Sequence, residues 1–459
     1  MGEKKMKCLK KFILGSLVMT MGMSAVGCAT NKGTNQEGEV ASQDVAQAES
    51  QGSEGGEKVE IEFWYGLGGE LGEHMEQMVT DFNKSQDEIH VTTSVQGDYS
   101  ETMQKLQAAF ADGNVPEVVI LSSEQADAVA RKGMVTSLQP YIDADPEFNI
   151  DDLISTFREQ GTYDGELLTM PAYGTTQVLY YNKEVLERNG FTEADLSTWQ
   201  GLANVAATVS QTESQDGSAY IGWEPMWGTY NMMDAVFSAG GQVISEDGQT
   251  VLINDETWVE VWDQFRKWIH EDKIMKVNSG GQGWEYWYKT IDDVMQDRAL
   301  GYTGSAGDQG DLDFTKLAAT VQPGWKDHKA QAMAGAQMFI MPKGKQTEAE
   351  NKGAYELIKY ITSAENTARW SMNSGYIAVR KSAMDIDFFK TYLEENPQAK
   401  VPMLQADAYS TVDFIDPTGG KIYDALSIAV DKVQIENVDA QTALDEACEK
   451  AQAALDKVK

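Results

Sequence analysis

The chain reads Val59-Glu60-Ile61-Glu62-Phe63-Trp64-Tyr65 where its first strand pattern begins, with apolar and polar residues in alternation. The glycine-rich stretch Gly66-Leu67-Gly68-Gly69 follows and predicts a turn. Apolar residues then recur at helical spacing from Leu71 to Phe82. This first unit is therefore a strand, a tight turn and a helix.

The same alternation of strand and helix continues along the chain. Residues 89–95 and the short apolar run 118–121 predict further strands, and residues 99–112 and 126–133 predict helices. A continuous apolar run of four residues suits a buried parallel strand. Later strands are predicted at 178–182 and 338–341, and a packed helix is predicted at 440–457. This order indicates the α/β class with mostly parallel sheets.

The N-terminus has the pattern of a secretory signal. Five lysines precede an uncharged apolar stretch from Phe12 to Val26, which ends at Ala25-Val26-Gly27-Cys28. A cysteine at that point resembles a bacterial lipoprotein signal, which implies that Cys28 carries a diacylglyceryl group. Residues 29–57 contain no aromatic residue and are rich in Gly, Ser, Gln and Glu, so we expect a disordered tether. The predicted location is the extracellular face of the cell membrane, with a lipid anchor.

Composition and motifs exclude several classes of protein. The net charge is −35, which disfavours nucleic acid as a partner and favours a soluble monomer. Of the three cysteines only Cys448 lies outside the N-terminal segment, in a helical pattern that predicts a small buried side chain. The sequence has neither a GxSxG nor a GxxxxGK[ST] motif, and its four histidines are scattered. We expect no metal, no cofactor and no catalysis.

Aromatic residues give the most informative signal about a ligand. The stretches Gly222-Trp223-Glu224-Pro225-Met226-Trp227-Gly228 and Gly283-Trp284-Glu285-Tyr286-Trp287-Tyr288 lie outside helical or strand periodicity. Trp258, Trp262 and Trp268, in contrast, have helical spacing and are predicted in the core. Flat aromatic faces with a few polar groups suit the apolar faces and polar edges of sugar rings. Burial of each tryptophan in a core remains an alternative.

The body of the chain resembles the family-1 extracellular solute-binding proteins, in the branch that contains the glycerol-3-phosphate-binding protein and many oligosaccharide binders. The residues that carry the resemblance are Phe63-Trp64-Tyr65, Gly69-Glu70-Leu71-Gly72, Phe82-Asn83-Lys84-Ser85, Gln96-Gly97-Asp98-Tyr99, Gly113-Asn114-Val115-Pro116, Val178-Leu179-Tyr180-Tyr181-Asn182-Lys183, Ala334-Gly335-Ala336 and Ser374-Gly375-Tyr376-Ile377-Ala378-Val379-Arg380.

The resemblance implies a two-lobed, type II periplasmic-binding-protein-like fold, in which crossing strands join two α/β lobes that close on a ligand by hinge bending. It implies residues 58–171 and 335–376 in lobe I, and residues 172–334 and 377–459 in lobe II. It also implies a neutral sugar or oligosaccharide as ligand and the permease subunits of an ABC importer as partners. The ligand-binding residues carried over are Tyr65, Glu70, Tyr99, Ser123, Thr175, Trp223, Trp227, Ser305, Gly335 and Tyr376.

One departure bears on the ligand. Phosphate-binding members carry an arginine in the C-terminal segment, whereas this chain has acids there, Asp413 and Asp416. A phosphate beside Asp413 would be repelled, which favours a neutral sugar. Three alternatives stay open: the same fold binding a phosphoester, polyol or peptide; a secreted glycoside hydrolase; and a surface sensor that has lost its ligand.

Overall fold

A computed structural model describes residues 58–214, 217–281 and 285–458. The predicted signal with Cys28, the tether at 29–57, and Gly283 and Trp284 lie outside these residues. No helix in the described part of the chain has both the length and the apolar character that crossing a membrane requires.

The strands follow the predicted alternation. In β1 the side chains of Ile61, Phe63 and Tyr65 are buried while Glu60 and Glu62 are exposed, so one face of the strand packs on a core. Within the described residues, nine strands form one sheet and two form a hairpin. The sheet contains β1 (Val59–Tyr65), β2 (Ile89–Val95), β3 (Val118–Leu121), β6 (Met170–Asn182), β7 (Glu224–Pro225), β8 (Gly301–Ser305), β9 (Leu317–Thr320), β10 (Ala332–Ile340) and β11 (Ser410–Val412); the hairpin is β4 (Thr162–Tyr163) with β5 (Glu166–Leu167).

Helices cover the sheet. The α-helices are α1 (Gly69–Ser85), α2 (Tyr99–Asp112), α3 (Ser123–Arg131), α4 (Gln139–Ala144), α5 (Ser155–Gln160), α6 (Lys183–Arg188), α7 (Trp199–Val209), α8 (Thr229–Ser238), α9 (Glu256–Arg266), α10 (Glu285–Met295), α11 (Glu348–Ile361), α12 (Ala364–Ser374), α13 (Asp387–Glu395), α14 (Val401–Ala408), α15 (Lys421–Gln434) and α16 (Ala440–Leu455). Short 3₁₀ helices lie at Ile150–Asp152, Glu193–Leu196, Ala306–Asp311, Lys381–Asp385 and Pro397–Lys400, and a π-helix at Lys267–Glu271. The predicted α/β class is confirmed.

Two long strands pass between the two halves of the molecule. The first half of β6 pairs antiparallel with β10, which in turn pairs with β3. The second half of β6 pairs antiparallel with β8 and β9. In contrast, β1 is parallel to both β2 and β3. The register places Thr175 opposite Gly335 and Gln177 opposite Ser305, so these four residues meet where β6 crosses.

Separate hydrophobic cores define the two lobes. The core of lobe I contains the inner faces of β1 to β3, α11 and α12, together with Ile377, Phe389 and Met403. The core of lobe II contains α7 to α9, α15 and α16, and a smaller apolar cluster packs around β8 and β9. The fully buried apolar residues of 377–406 belong to the lobe I core, so we propose that this segment is part of lobe I, whereas the sequence predicts it in lobe II. We propose that the last boundary between lobes falls between Ala406 and Phe414.

The predicted core tryptophans are confirmed. Trp258 and Trp262 are fully buried in the lobe II core, and Trp268 is almost so. Cys448 is only partly buried; it packs against the same core, and its Sγ lies 3.5 Å from the carbonyl oxygen of Val251.

Candidate functional site

A cleft of about 780 Å³ lies where β6 and β10 cross, and residues of both lobes line it. Lobe I contributes the start of α3 and Tyr376, and lobe II contributes the segment before α8, the first turn of α10 and the 3₁₀ helix after β8. The lining residues are 122–124, 175–177, 226–231, 234, 286–288, 305, 307, 308, 311, 333, 335–337, 376, 413–415 and 423.

Local structure fixes the backbone at two edges of the cleft. At the start of α3, the Ser122 hydroxyl accepts from the backbone N–H of Gln125 and the Gln125 side chain accepts from the N–H of Ser122. This capping box presents Ser123 at the first turn. On lobe II, Ser305 ends β8, and its Oγ accepts from the backbone N–H of Gly307 at 3.2 Å. Both serines are thus held at turns that face the cleft.

Three aromatic rings, Trp227, Tyr286 and Trp287, line one side of the cleft, and we call them the aromatic wall; carboxylates orient the two tryptophans. The Trp227 indole donates from Nε1 to Asp431 Oδ1 at 2.8 Å and meets the Tyr286 ring edge-on, with centroids 4.8 Å apart. The Trp287 indole donates from Nε1 to Asp308 Oδ1 at 3.0 Å. These bonds fix which ring faces the cleft can offer to a ligand.

A second group of rings, Tyr230, Phe414 and Tyr423, lies near Asp413, and we call these four residues the aromatic corner. The Tyr230 and Tyr423 centroids are 5.9 Å apart, and those of Phe414 and Tyr423 are 5.6 Å apart. Tyr423 donates its hydroxyl proton to the carbonyl oxygen of Phe414 at 3.0 Å. Burial, reinforced by the charge of Asp413, raises the pKa of Tyr423 and keeps it neutral.

Four buried oxygen atoms of lining residues have no hydrogen-bond partner among the described residues. They are Gln177 Oε1, Asn231 Oδ1, Gln337 Oε1 and Asp413 Oδ1. All four are acceptors, and a buried acceptor left unpaired costs about 1–3 kcal/mol. A ligand that carries several O–H or N–H donors can supply the missing bonds.

The charges along the cleft are of one sign. Five acids line it, namely Glu124, Asp234, Asp308, Asp311 and Asp413, whereas no Lys, Arg or His does so in the described part of the chain. Burial raises the pKa of Asp234 and of Asp308 to about 7 and that of Asp413 to about 6. Desolvation of the charged form is the main cause at all three.

Six of the ten predicted ligand-binding residues line the cleft: Ser123, Thr175, Trp227, Ser305, Gly335 and Tyr376. Strand register explains three of them, because β6 brings Thr175 opposite Gly335 and the Thr175 Oγ1 to 3.4 Å from Ser305 Oγ. A side chain at Gly335 would have its Cβ 2.9 Å from Asp413 Oδ2, so glycine leaves room for that carboxylate.

The other four predicted residues lie elsewhere. Trp223 is fully buried in lobe II, where its Nε1 donates to Thr303 Oγ1 at 3.2 Å. Tyr65 is buried in lobe I and donates its hydroxyl proton to Glu76. Tyr99 shares a hydrogen bond with the Tyr173 hydroxyl, and Glu70 is exposed in the first turn of α1. None of the four lines the cleft, so we leave them out of the proposed site.

Sequence reasoning missed most of the aromatic corner and the role of Asp308. Tyr286 and Trp287 lay in the aromatic stretch that the sequence singled out, but they were not assigned as ligand-binding residues. Asp413 entered only as an argument against phosphate. Tyr230, Phe414 and Tyr423 have no common signal in the sequence, because Tyr230 lies far along the chain from the other two and meets them only in the fold.

Two α/β lobes with an aromatic, polar cleft at their crossing strands define the class of solute-binding proteins. The chain belongs to the bacterial extracellular solute-binding protein family, whose match covers residues 77–400. The predicted family, and with it the predicted class of a substrate-binding component of an ABC importer, is confirmed. This family membership places the protein outside the cytoplasmic membrane.

Similar proteins were found by sequence and by structure. The chain is 26% identical over 370 residues to the sn-glycerol-3-phosphate-binding periplasmic protein UgpB of Yersinia pestis, covering 75% of this chain and 80% of that one. The Escherichia coli K12 protein of the same name is 23% identical over 347 residues, covering 74% and 78%.

Solved structures share the fold over most of the chain. The sugar-binding protein MalE of Xanthomonas citri superposes with a TM-score of 0.75 at 16% identity, covering 87% of this chain and 98% of that one. The cyclic α-maltosyl-1,6-maltose binding protein of Arthrobacter globiformis gives 0.73 at 17%, covering 87% and 100%. UgpB of Mycobacterium tuberculosis, in complex with glycerophosphocholine, gives 0.71 at 20%, covering 88% and 99%.

Proposed function

We propose that this protein captures a sugar or oligosaccharide without negative charge in the inter-lobe cleft and delivers it to ABC permease subunits. One observation carries the ligand class: the cleft combines the aromatic wall with four unpaired acceptors and no cationic side chain among its described lining residues. Ring C–H faces can lie on the wall while hydroxyl groups donate to the acceptors. Ser123, Thr175, Ser305 and Tyr376 supply further hydroxyl groups at its edges.

A phosphoester is the second candidate, because UgpB proteins are named for glycerol 3-phosphate. The charge of the cleft argues against it. A phosphate group is held by Arg, Lys or several backbone N–H donors. The first turns of α3, α8 and α10 line the cleft, but no Lys or Arg does so among the described residues, and the phosphate would meet five acids. Removing such an anion from water without a cationic partner is costly. We therefore propose an uncharged or cationic sugar as the ligand in preference to a phosphoester.

The remaining parts of the proposal concern the setting of the protein. Cys28 is proposed as the site of a lipid anchor on the extracellular face of the membrane, with residues 29–57 as the tether. We propose a monomer without catalytic activity, since the carboxylates of the cleft have binding roles in this account. Carbohydrate and permease are the proposed partners.

Isothermal titration calorimetry tests the ligand class. Protein purified without refolding is titrated with maltotriose, cellotriose, raffinose and glycerol 3-phosphate. We expect binding to at least one sugar and none to glycerol 3-phosphate; binding to the phosphate alone would refute the proposal. Chromatography of the oligosaccharides after prolonged incubation separates the binding protein from a glycoside hydrolase, since only the hydrolase yields shorter products.

A further inference from the structure

We propose that the aromatic corner binds a protonated amino group, so that the preferred ligand of the cleft is a saccharide that carries an amine. This inference rests on the proposed function and narrows it from carbohydrates without negative charge to amino sugars.

Asp413 is a carboxylate without a counter-ion. It follows β11, which pairs with β10, and this places it beside Gly335 at the crossing. Glu124 and Asp234, both acids, interact with it unfavourably. No Lys, Arg or His lines the described cleft. A cation brought by the ligand would relieve this repulsion.

Asp413 differs from Asp234, a buried acid at this end of the cleft, in having an oxygen without a partner in the described residues, whereas Glu124 is exposed. Asp234 is fully buried, and its two oxygens accept from the backbone N–H of Met333 at 2.8 Å and from Gln322 Nε2 at 2.6 Å. Asp413 Oδ1 is buried and has no partner in the described residues. The unsatisfied acceptor and the uncompensated charge therefore coincide on one side chain.

The shape of the site favours an organic cation over a metal ion. No group of three or more His, Cys, Asp or Glu side chains is close enough to hold a metal anywhere in the described residues. Instead, aromatic rings flank Asp413, and Tyr230 is half exposed, at 51%. Ring faces attract an ammonium group through their quadrupole, and an ammonium has three N–H donors for nearby acceptors.

Matched saccharides test the inference. Calorimetry compares three trimers with the same β-1,4 linkage: cellotriose with hydroxyl groups at C2, the glucosamine trimer with ammonium groups there, and the N-acetylglucosamine trimer with neutral amides. Two sets of monosaccharides extend the series: glucose, glucosamine and N-acetylglucosamine, and galactose, galactosamine and N-acetylgalactosamine. We expect at least one amine to bind roughly 10- to 100-fold more tightly than both neutral counterparts, as a charge-assisted hydrogen bond would give.

Two variants connect the preference to Asp413. Asp413→Asn keeps the shape and removes the charge, and we expect the ratio of amine to hydroxyl affinity to fall at least roughly tenfold. Glu436→Gln, an exposed acid of lobe II that does not line the cleft, should leave that ratio unchanged. The wild-type ratio is measured without any variant, so it stands even if Asp413→Asn unfolds.

The outcomes separate this inference from the proposed function. Neutral sugars that bind as tightly as their amines would overturn the inference and leave the carbohydrate proposal intact. Binding of glycerol 3-phosphate or glycerophosphocholine alone would overturn both. Failure of every amino sugar to bind at millimolar concentration would also overturn the inference.

Discussion

Replacing Trp227 with alanine removes one indole of the aromatic wall. Its Nε1 donates to Asp431 Oδ1 at 2.8 Å, and its ring forms a T-shaped pair with Tyr286, with centroids 4.8 Å apart. The side chain is only partly buried, so we expect its removal to weaken ligand binding more than it destabilises the core.

The magnitude follows from area and ring contacts. An indole face that covers about 70 Å² of a sugar ring contributes about 2 kcal/mol at roughly 25 cal/mol per Å². Loss of the ring contact with Tyr286 costs about 0.5–1.5 kcal/mol more. Together these give about 2.5–3.5 kcal/mol, so we expect the affinity for the best sugar of the calorimetric panel to fall roughly 70- to 400-fold. Trp227→Phe keeps a ring but lacks the hydrogen bond to Asp431, so its sugar affinity should fall roughly 3- to 10-fold.

The assay is calorimetry on wild type and variants, with the midpoint of thermal unfolding as a check on folding. Trp64→Ala is the matched control, because Trp64 is also a partly buried indole that donates to a carboxylate, Glu62 Oε1 at 2.7 Å, but lies outside the cleft. Its sugar affinity should stay within twofold of wild type. If Trp227→Ala bound the sugar as tightly as Trp64→Ala does, the reasoning about the aromatic wall would be refuted.

Three further predictions concern acids and close packing. Burial, and then repulsion by Asp293, raises the pKa of Glu224 from 4.5 to about 8, so the stability that this group contributes below pH 4.5 is lost as pH rises through 8. Urea unfolding should therefore show that the free energy of unfolding of Glu224→Gln, relative to wild type, increases by at most on the order of 4 kcal/mol between pH 5 and pH 9. The same difference between variant and wild type at both pH values would contradict this. Asp308→Asn leaves one side-chain oxygen for two donors, Trp287 Nε1 and the Tyr302 hydroxyl, so the sugar affinity measured by calorimetry should fall roughly 5- to 10-fold. Unchanged affinity would show that the bond from Trp287 to Asp308 does not orient the indole for the ligand. Gly335→Ala puts a methyl group 2.9 Å from Asp413 Oδ2, so calorimetry should show weaker sugar binding while the melting temperature changes little. A large drop in the melting temperature would instead indicate that Gly335 has a role in the core.

The alternation of strands and helices could be predicted because each element carries its own pattern. The buried face of β1 and the apolar run of β3 appear in the sequence without reference to any other segment. Lobe membership is different. Residues 377–406 contain apolar positions that would suit either core, and only their contacts with Ile154 and its neighbours in lobe I decide between them.

The candidate site was predictable where strand register fixes it and not where tertiary packing does. Trp223 and Trp227 both stand in a stretch rich in Gly and Pro, yet only Trp227 reaches the cleft. Gly301 explains the difference: a Cβ there would lie 2.5 Å from the Trp223 ring, so the missing side chain gives that indole a buried place. The burial of Trp223 therefore depends on Gly301, 78 positions away, and the residues around Trp223 in the sequence carry no information about that contact.

A crystal structure of the protein with its tightest-binding sugar would show directly what the cleft holds. We expect a hydroxylated ring against Trp227 and Trp287, with its polar groups on the unpaired oxygens of Gln177, Gln337 and Asp413. A phosphoester bound in the cleft of protein purified without refolding, or a sugar bound away from these residues, would contradict it.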